Sequence, residues 1–301
     1  MRTEVTGVVE NGVSRGDEFT AVVNPVAGRG AGLALAEWLA RELPDGAVEV
    51  VCSGDHRHAR ELARRACERG RTVLAVGGDG HAACVADAVV ATGGVLGVVP
   101  VGRGNDFARH LGLPSDPAGL ARMVRAGRRR VVDVLQCEGR VVLGSVYAGV
   151  DSAANAIVNR PSRVPSRFVY RYAAVRALST CEPVRVRLAL DGEEWHEQAY
   201  CVVVANSGFY GSGMHIVPTA RIDDELVDVL VVRASSRWRL IASLRHVYAG
   251  THLGRPDVEV RRARKVELEA DRPLPVYADG ELVGDAPVTV AVRGGALRVL
   301  V

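Results

Sequence analysis

The chain has 301 residues, 48% apolar and 24% charged, a balance that lets one large or two ordinary domains bury a core and excludes disorder and collagen-like repeats. Against 35 acidic residues stand 38 basic ones, net +3, too little to argue for nucleic acid without a basic patch. Lys265 is the one lysine, in Arg262-Ala-Arg-Lys-Val266, which excludes both the Gly-Lys-Ser/Thr of a Walker loop and the strand lysine of a protein kinase.

Residues 1–18 read as an N-terminal extension. Glu4, Glu10, Asp17 and Glu18 interrupt it, so no signal peptide is expected, and no stretch approaches the roughly 18 apolar residues of a membrane span. The six cysteines lie far apart without a Cys-x-x-Cys pair, so reduced thiols in a cytoplasmic protein are expected and zinc is not. His56 and His58, two residues apart, read as a solvated loop.

From Phe19 short β runs alternate with helical stretches. Strands are predicted at Phe19–Val23, Val48–Cys52, Thr72–Val76 and Val95–Pro100. Helices are predicted from about Gly32 to Leu43, His58 to Arg69 and Ala82 to Ala91. This rhythm implies a parallel sheet with helices on both faces, over 19–133, which binds ligands at the carboxyl ends of its strands. Three glycine-rich turns fall there. After Asp133 the pattern becomes many short strands joined by Asp191-Gly192, Asp279-Gly280 and Gly294-Gly295, an antiparallel β-sandwich over 134–292. Helical inserts interrupt it at about Pro165–Leu178 and Arg237–Tyr248. The last strand, about 293–301, is expected to pack back on the first domain. The fold class is therefore α/β plus all-β, with the active site expected in a cleft between two lobes.

Gly78-Asp-Gly-His-Ala-Ala83 fits the Gly-x-Gly-x-x-Ala dinucleotide fingerprint. That reading requires an acidic strand end about 20 residues on, and Val95-Leu-Gly-Val-Val-Pro100 has none. A carboxylate inside a glycine turn suits phosphoryl transfer better, because glycines let backbone N–H groups approach phosphate while aspartate holds hydrated Mg²⁺. Gly102-Arg103-Gly104-Asn105-Asp106 repeats the design one strand later. The plain alternative is a set of tight strand-to-helix turns.

Six blocks in order resemble the diacylglycerol kinase catalytic-domain family of bacterial lipid kinases and sphingosine kinases. They are Asn24-Pro25-Val-Ala-Gly28, Gly77-Gly-Asp-Gly80, Pro100-Val-Gly-Arg-Gly-Asn-Asp-Phe-Ala-Arg109, Asn206-Ser-Gly-Phe-Tyr-Gly-Ser-Gly-Met214, Pro218-Thr-Ala-Arg-Ile-Asp-Asp224 and Asp279-Gly-Glu281. The resemblance implies ATP and Mg²⁺ as cofactors. It makes Glu281 the general base and Asp79 and Asp106 catalytic carboxylates. Asn24, Gly78, Asp79, Gly80, His81, Gly102, Arg103, Gly104 and Asn105 would form the nucleotide site, and the Asp224 carboxylate, with the backbone carbonyls of Arg221 and Leu226, would hold a structural Mg²⁺. Glu281 could instead be an ordinary hairpin residue, and Asp223-Asp224 a plain turn.

The chain departs from the family where His81 and Arg103 replace threonines, where Ala83 and Cys84 replace Asn-Glu, and where Glu225 replaces glycine. His81 and Arg103 bring in cations, and Arg103 suits a bidentate grip on phosphate.

The expected activity is ATP-dependent phosphorylation of a lipid hydroxyl such as that of diacylglycerol. The alternatives are a small-molecule hydroxyl kinase of secondary-metabolite biosynthesis and a non-catalytic ATP or lipid sensor. Partners are the lipid or small-molecule acceptor, a peripheral contact with the inner face of the membrane, and a second copy of the chain; nucleic acid is not expected. Arg128–Arg130 and Arg261, Arg262 and Arg264 are solvated surface or, in the sharper reading, an anionic-membrane footprint.

Overall fold

The computed structural model describes residues 9–10, 18–158 and 169–301; most of the 1–18 extension and the start of the predicted Pro165–Leu178 helix lie outside the described residues. The chain forms two compact units. One holds the described residues up to Val134 together with Arg293–Val301, and the other is Leu135–Val292.

The first unit runs β1 (Val9–Glu10), β2 (Phe19–Val23), α1 (Ala31–Glu42), β3 (Val48–Cys52), α2 (His56–Glu68), β4 (Thr72–Gly77), α3 (Asp79–Thr92), β5 (Val95–Pro100), α4 (Asp106–His110), α5 (Pro117–Ala126) and β6 (Arg129–Cys137), whose last residues enter the second unit. β3, β2, β4 and β5 pair in parallel in that spatial order. Every residue of β2 and β4 is buried, as expected of strands covered by helices on both faces.

Local signals place the helices. Asp55 caps α2 by accepting the His58 N–H at 2.7 Å. Asp116 caps α5 through the Gly119 N–H at 2.8 Å, with Pro117 in its first turn. His56 and His58 are exposed, but they form the first turn of α2 rather than a loop, because the Asp55 cap starts the helix ahead of the apolar pattern.

The second unit continues with β7 (Arg140–Val142), β8 (Ser145–Gly149), α6 (Val150–Val158), α7 (Val169–Thr180), β9 (Val184–Leu190), β10 (Glu193–Ala205), β11 (Phe209–Tyr210), β12 (Met214–His215), β13 (Val227–Arg233), α8 (Arg237–Ala249), β14 (Val258–Ala263), β15 (Lys265–Ala270), β16 (Pro275–Ala278), β17 (Glu281–Asp285) and β18 (Val288–Leu300). All its main pairings are antiparallel.

β10 organises this unit. Its first half pairs with β9, and its second half lies between β8 and β13. Val202 and Val204 face the sandwich core with Leu188, Trp195 and Val266, while Cys201, Val203 and Ala205 face a second core under α6–α8. The alternation has period two, and both faces are dry, which explains the uninterrupted apolar run Cys201–Ala205.

β18 crosses back into the first unit, where Arg298 and Val299 pair in parallel with Val95 and Leu96 of β5. The buried Asp133 carboxylate fixes it there by accepting the Gly295 N–H at 2.7 Å. The fold is thus a parallel α/β unit followed by an antiparallel β-sandwich-like unit.

Candidate functional site

In the first unit the turns after β2, β4 and β5 gather at the carboxyl ends of their strands. The backbones of the two carboxylate-bearing turns touch. A Cβ on Gly102 would stand 2.5 Å from the Gly78 Cα, and one on Gly104 would stand 2.7 Å from Asp79 Oδ2 and 3.1 Å from Asp106 Oδ2. Only glycine fits at 102, and a side chain at 104 would push the carboxylates aside. The same contact shows that the two carboxylates converge on one point beside the second turn.

Asn105, at φ +54°, locks that turn with both ends of its amide. Its Oδ1 accepts the Gly102 N–H at 2.9 Å, and its Nδ2 donates to the Gly102 carbonyl at 3.0 Å. Asn24 braces the first turn with one end of its amide, its Oδ1 accepting the Val26 N–H at 3.2 Å. Both asparagines shape backbone.

Asp79 is the first residue of α3, whose first helical bond runs from Ala82 N to Gly78 O. The N–H groups of Gly80 and His81 therefore precede the first helical bond, while that of Asp79 turns to its own carboxylate; such a helix start favours phosphate. Across from them the Asp79 carboxylate meets the backbone N–H groups of Asn105, Asp106 and Phe107, the last at 3.3 Å. Burial pushes Asp79 above the usual carboxylate range and those N–H groups pull it part of the way back. Asp106 is buried with an oxygen 3.9 Å from Arg109 Nε. Two converging carboxylates, one of them costly to ionise where it stands, are a fitting donor set for hydrated Mg²⁺, which takes one or two carboxylates and completes its shell with water and phosphate.

The two sequence departures behave differently. Arg103 is exposed at the tip of its turn. His81 is not a cation at the turn. Its ring is 3% exposed, packs where a Cβ on Gly77 would come within 2.8 Å, and holds the Val22 carbonyl at 2.9 Å through Nε2. Burial pushes the imidazole below its usual pKa, so it stays neutral; its backbone N–H alone remains for a phosphate.

In the second unit Glu281 opens β17, opposite Ala278 of β16. Asp279 and Gly280 form the connecting turn with φ of +45° and +90°, as a two-residue type I′ hairpin requires. The Asp279 carboxylate accepts three backbone N–H groups, from Leu143 at 2.8 Å, Gly144 at 2.9 Å and Ser145 at 3.2 Å. The Gly144 carbonyl in turn accepts the N–H groups of Asn206 and Ser207, and Asn206 Nδ2 donates to Leu143 O at 2.9 Å. The Asn206 and Asp279 blocks are thus one frame holding the turn that carries Glu281. Sequence reasoning quoted both blocks without finding this use of Asp279 and Asn206.

Against that frame lies a cavity of about 840 Å³, part of it open to solvent, walled by apolar residues of β8, β10, α6, α7 and α8. Asn155 of α6 lines it and donates to the Gly280 carbonyl at 2.9 Å. One polar cluster interrupts the wall: Cys201 Sγ and the Tyr210 hydroxyl donate to the Asp151 carboxylate. Burial pushes Asp151 upward, and burial beside Asp151 pushes Cys201 and Tyr210 well above their ordinary values. Neither Asp151 nor α6 was found from sequence.

The Asp224 region departs from the expected structural Mg²⁺ site. Asp224 Oδ1 accepts the Leu226 N–H at 3.3 Å and Oδ2 pairs with Arg262 Nη2, whose Nε lies 3.7 Å from Asp228 Oδ1. Arg221 points to Asp223, 3.6 Å away. An arginine therefore stands on the one carboxylate of the expected site, whose other ligands would be the backbone carbonyls of Arg221 and Leu226. Glu225, where the family has glycine, sits at φ +57°.

Residues 18–137 match the diacylglycerol kinase catalytic domain, and residues 144–301 match the YegS C-terminal NAD kinase beta sandwich-like domain. The chain belongs to this diacylglycerol kinase family. It is 33% identical over 293 residues to "Diacylglycerol kinase" of Mycobacterium tuberculosis, covering 94% of each chain. It is 28% identical to "Probable lipid kinase YegS-like" of Pseudomonas fluorescens, covering 84% of this chain and 85% of the relative. A crystal structure of a diacylglycerol kinase from Bacillus anthracis str. Sterne shares the fold, with a TM-score of 0.71 at 20% identity over 96% of this chain and 98% of that one.

Proposed function

We propose that this protein transfers the γ-phosphoryl group of ATP to a hydroxyl of a lipid of the diacylglycerol type. The observation that carries the acceptor class is the apolar lining of the cavity, joined through Asn155 to the turn that bears Glu281. An acyl chain gains from leaving water for such a cavity, whereas a small polar alcohol would find few hydrogen-bond partners in it. Membership of a kinase family and retention of Asp79, Asp106 and Glu281 support a catalyst over a sensor.

In this reading the α3 N-terminus and the glycine turns receive the phosphates, and Arg103 adds a guanidinium at the rim. Asp79 and Asp106 would hold Mg²⁺, which when bound neutralises phosphate charge. Glu281 takes the proton of the acceptor hydroxyl as its oxygen bonds to the γ-phosphorus and the bond to the bridging oxygen of ADP breaks. Positioning supplies most of the rate.

The test is transfer from γ-labelled ATP to two acceptor sets, dispersed diacylglycerols and sphingoid bases on one side and soluble alcohols on the other. Label in the lipid phase is expected, and it should vanish in Glu281→Gln with ATP affinity nearly intact. Label confined to a soluble product would replace the lipid reading with the biosynthetic one.

A further inference from the structure

The large apolar side chains left in water are not scattered. Of the five on the described surface, Trp238 (80% exposed), Tyr172 (47%) and Val175 (42%) sit on α7 and α8, which pack against each other in the second unit. On α7, Tyr172, Val175, Arg176 and Ser179 are exposed at i, i+3, i+4 and i+7, while Ala173, Ala177 and Leu178 are buried. On α8, Trp238, Ala242 and Arg245 repeat that outward spacing, with Arg237 and Arg239 beside the indole. Arg237 Nη1 donates to the Ser179 carbonyl at 3.3 Å, which joins the two outer faces into one surface.

The charge on this surface is all of one sign. Arg176, Arg237, Arg239 and Arg245 are exposed, and none pairs with a carboxylate among the described residues; Arg245 Nε contacts only His246. Of the arginines that the sequence suggested as a footprint, those of the second unit are committed elsewhere. Arg261 lies over the Trp195 ring at 4.1 Å and pairs with Glu259, Arg262 pairs with Asp224, and Arg264 pairs with Glu225 at 3.2 Å.

The inner faces of the same helices wall the apolar cavity, α7 through Ala174 and Leu178 and α8 through Leu240, Leu244 and Val247. Whatever rests on the outer surface is one helix away from the cavity, about 10 Å. An indole and a tyrosine between unpaired guanidiniums match the interface of a bilayer, where aromatic rings settle at headgroup depth and each cation near an anionic surface contributes about fivefold in binding.

We propose that the outer face of α7 and α8 docks on an anionic phospholipid bilayer and that the acceptor lipid passes from there into the cavity. This rests on the lipid-kinase reading for the acceptor, and its occupant is the bilayer itself.

Flotation with vesicles of phosphatidylcholine alone and of phosphatidylcholine with phosphatidylglycerol, without nucleotide, tests it. The protein should float with the anionic vesicles only and be released by salt. Trp238→Ser, and separately Arg237→Glu with Arg239→Glu, should each lower the partition coefficient about tenfold or more. The melting temperature should not change, nor should phosphorylation of a short-chain diacylglycerol in detergent. Equal flotation of variants and wild type would overturn the proposal. So would failure of the wild type to bind either vesicle, and a change of sedimentation in Trp238→Ser without vesicle binding would make the face a protein interface. Vesicle binding with no turnover on any acceptor would sink the kinase reading alone, and detergent activity without vesicle binding would sink the docking alone.

Discussion

The carboxylate of Asp279 accepts the Gly144 N–H at 2.9 Å, and a Cβ on Gly144 would stand 2.7 Å from the same oxygen. This contact ties the Glu281 hairpin to the bend between β7 and β8, just ahead of the cavity wall. Asp279→Ala should leave the N–H groups of Leu143, Gly144 and Ser145 without their acceptor, a loss of at least about 3 kcal/mol. The melting temperature should fall by several degrees, and in the fraction that stays folded kcat should fall more than ATP affinity. Unchanged melting with unchanged kcat would show that the hairpin holds itself.

The Asp-Gly turn signal placed the hairpin, because a type I′ turn admits few residue types. What Asp279 holds was hidden, because its three donors lie more than 130 residues away in the chain. The strands of the first unit were legible because β2, β4 and β5 are apolar runs closed by glycine turns. Helix α6 was not: its apolar face is Val150, Ala153, Ala154 and Ile157, half of it alanine, which gives weak periodicity. For His81 composition suggested a cation, and only packing shows that Gly77 makes room for a neutral ring.

Asp79 is ionised at a cost. Its folded pKa lies above the ordinary value of 3.8 because burial outweighs the backbone N–H groups around it, so the folded state binds the proton more tightly and stability falls as pH rises from about 3.8 through the folded pKa. Asp79→Asn removes that penalty while its amide oxygen can still accept an N–H. At pH 7 the variant should melt a few degrees higher and transfer phosphate at least about 100-fold more slowly. A lower melting temperature would mean that the carboxylate is needed to hold the two turns together.

His81 has the opposite pH signature. Its folded pKa is depressed by burial, so its contribution is fully present above about 6.5 and is lost as pH falls from there through the folded value. His252, 2% exposed with Nε2 2.8 Å from the Ile216 carbonyl, is depressed for the same reason and adds to the loss. His81→Thr would put back the family's hydroxyl but leave a void beside Gly77 and Val22 O without its partner, for about 1–3 kcal/mol at pH 7.5. Thermal melts from pH 5 to 8 should show a lower plateau and a shallower acid limb in this variant, with His252 keeping part of the slope. An acid limb identical to that of the wild type would remove His81 from the account.

Arg262 stands where the family resemblance implied a structural Mg²⁺. Its guanidinium faces Asp224 and Asp228 together; Asp228 is 1% exposed, pushed above the usual carboxylate range by burial, and has Oδ2 without a hydrogen-bond partner. A permanent cation there makes the turn independent of divalent metal, so the melting temperature of the wild type should be the same in EDTA and in millimolar Mg²⁺. Arg262→Ala leaves two neighbouring carboxylates uncompensated, and the melting temperature in EDTA should fall by several degrees. Mg²⁺ added to this variant should recover part of the loss, since an octahedral cation accepts such carboxylates with water in the rest of its shell. A wild type that melts earlier in EDTA would return the metal to Asp224 and reduce the arginine to a surface partner.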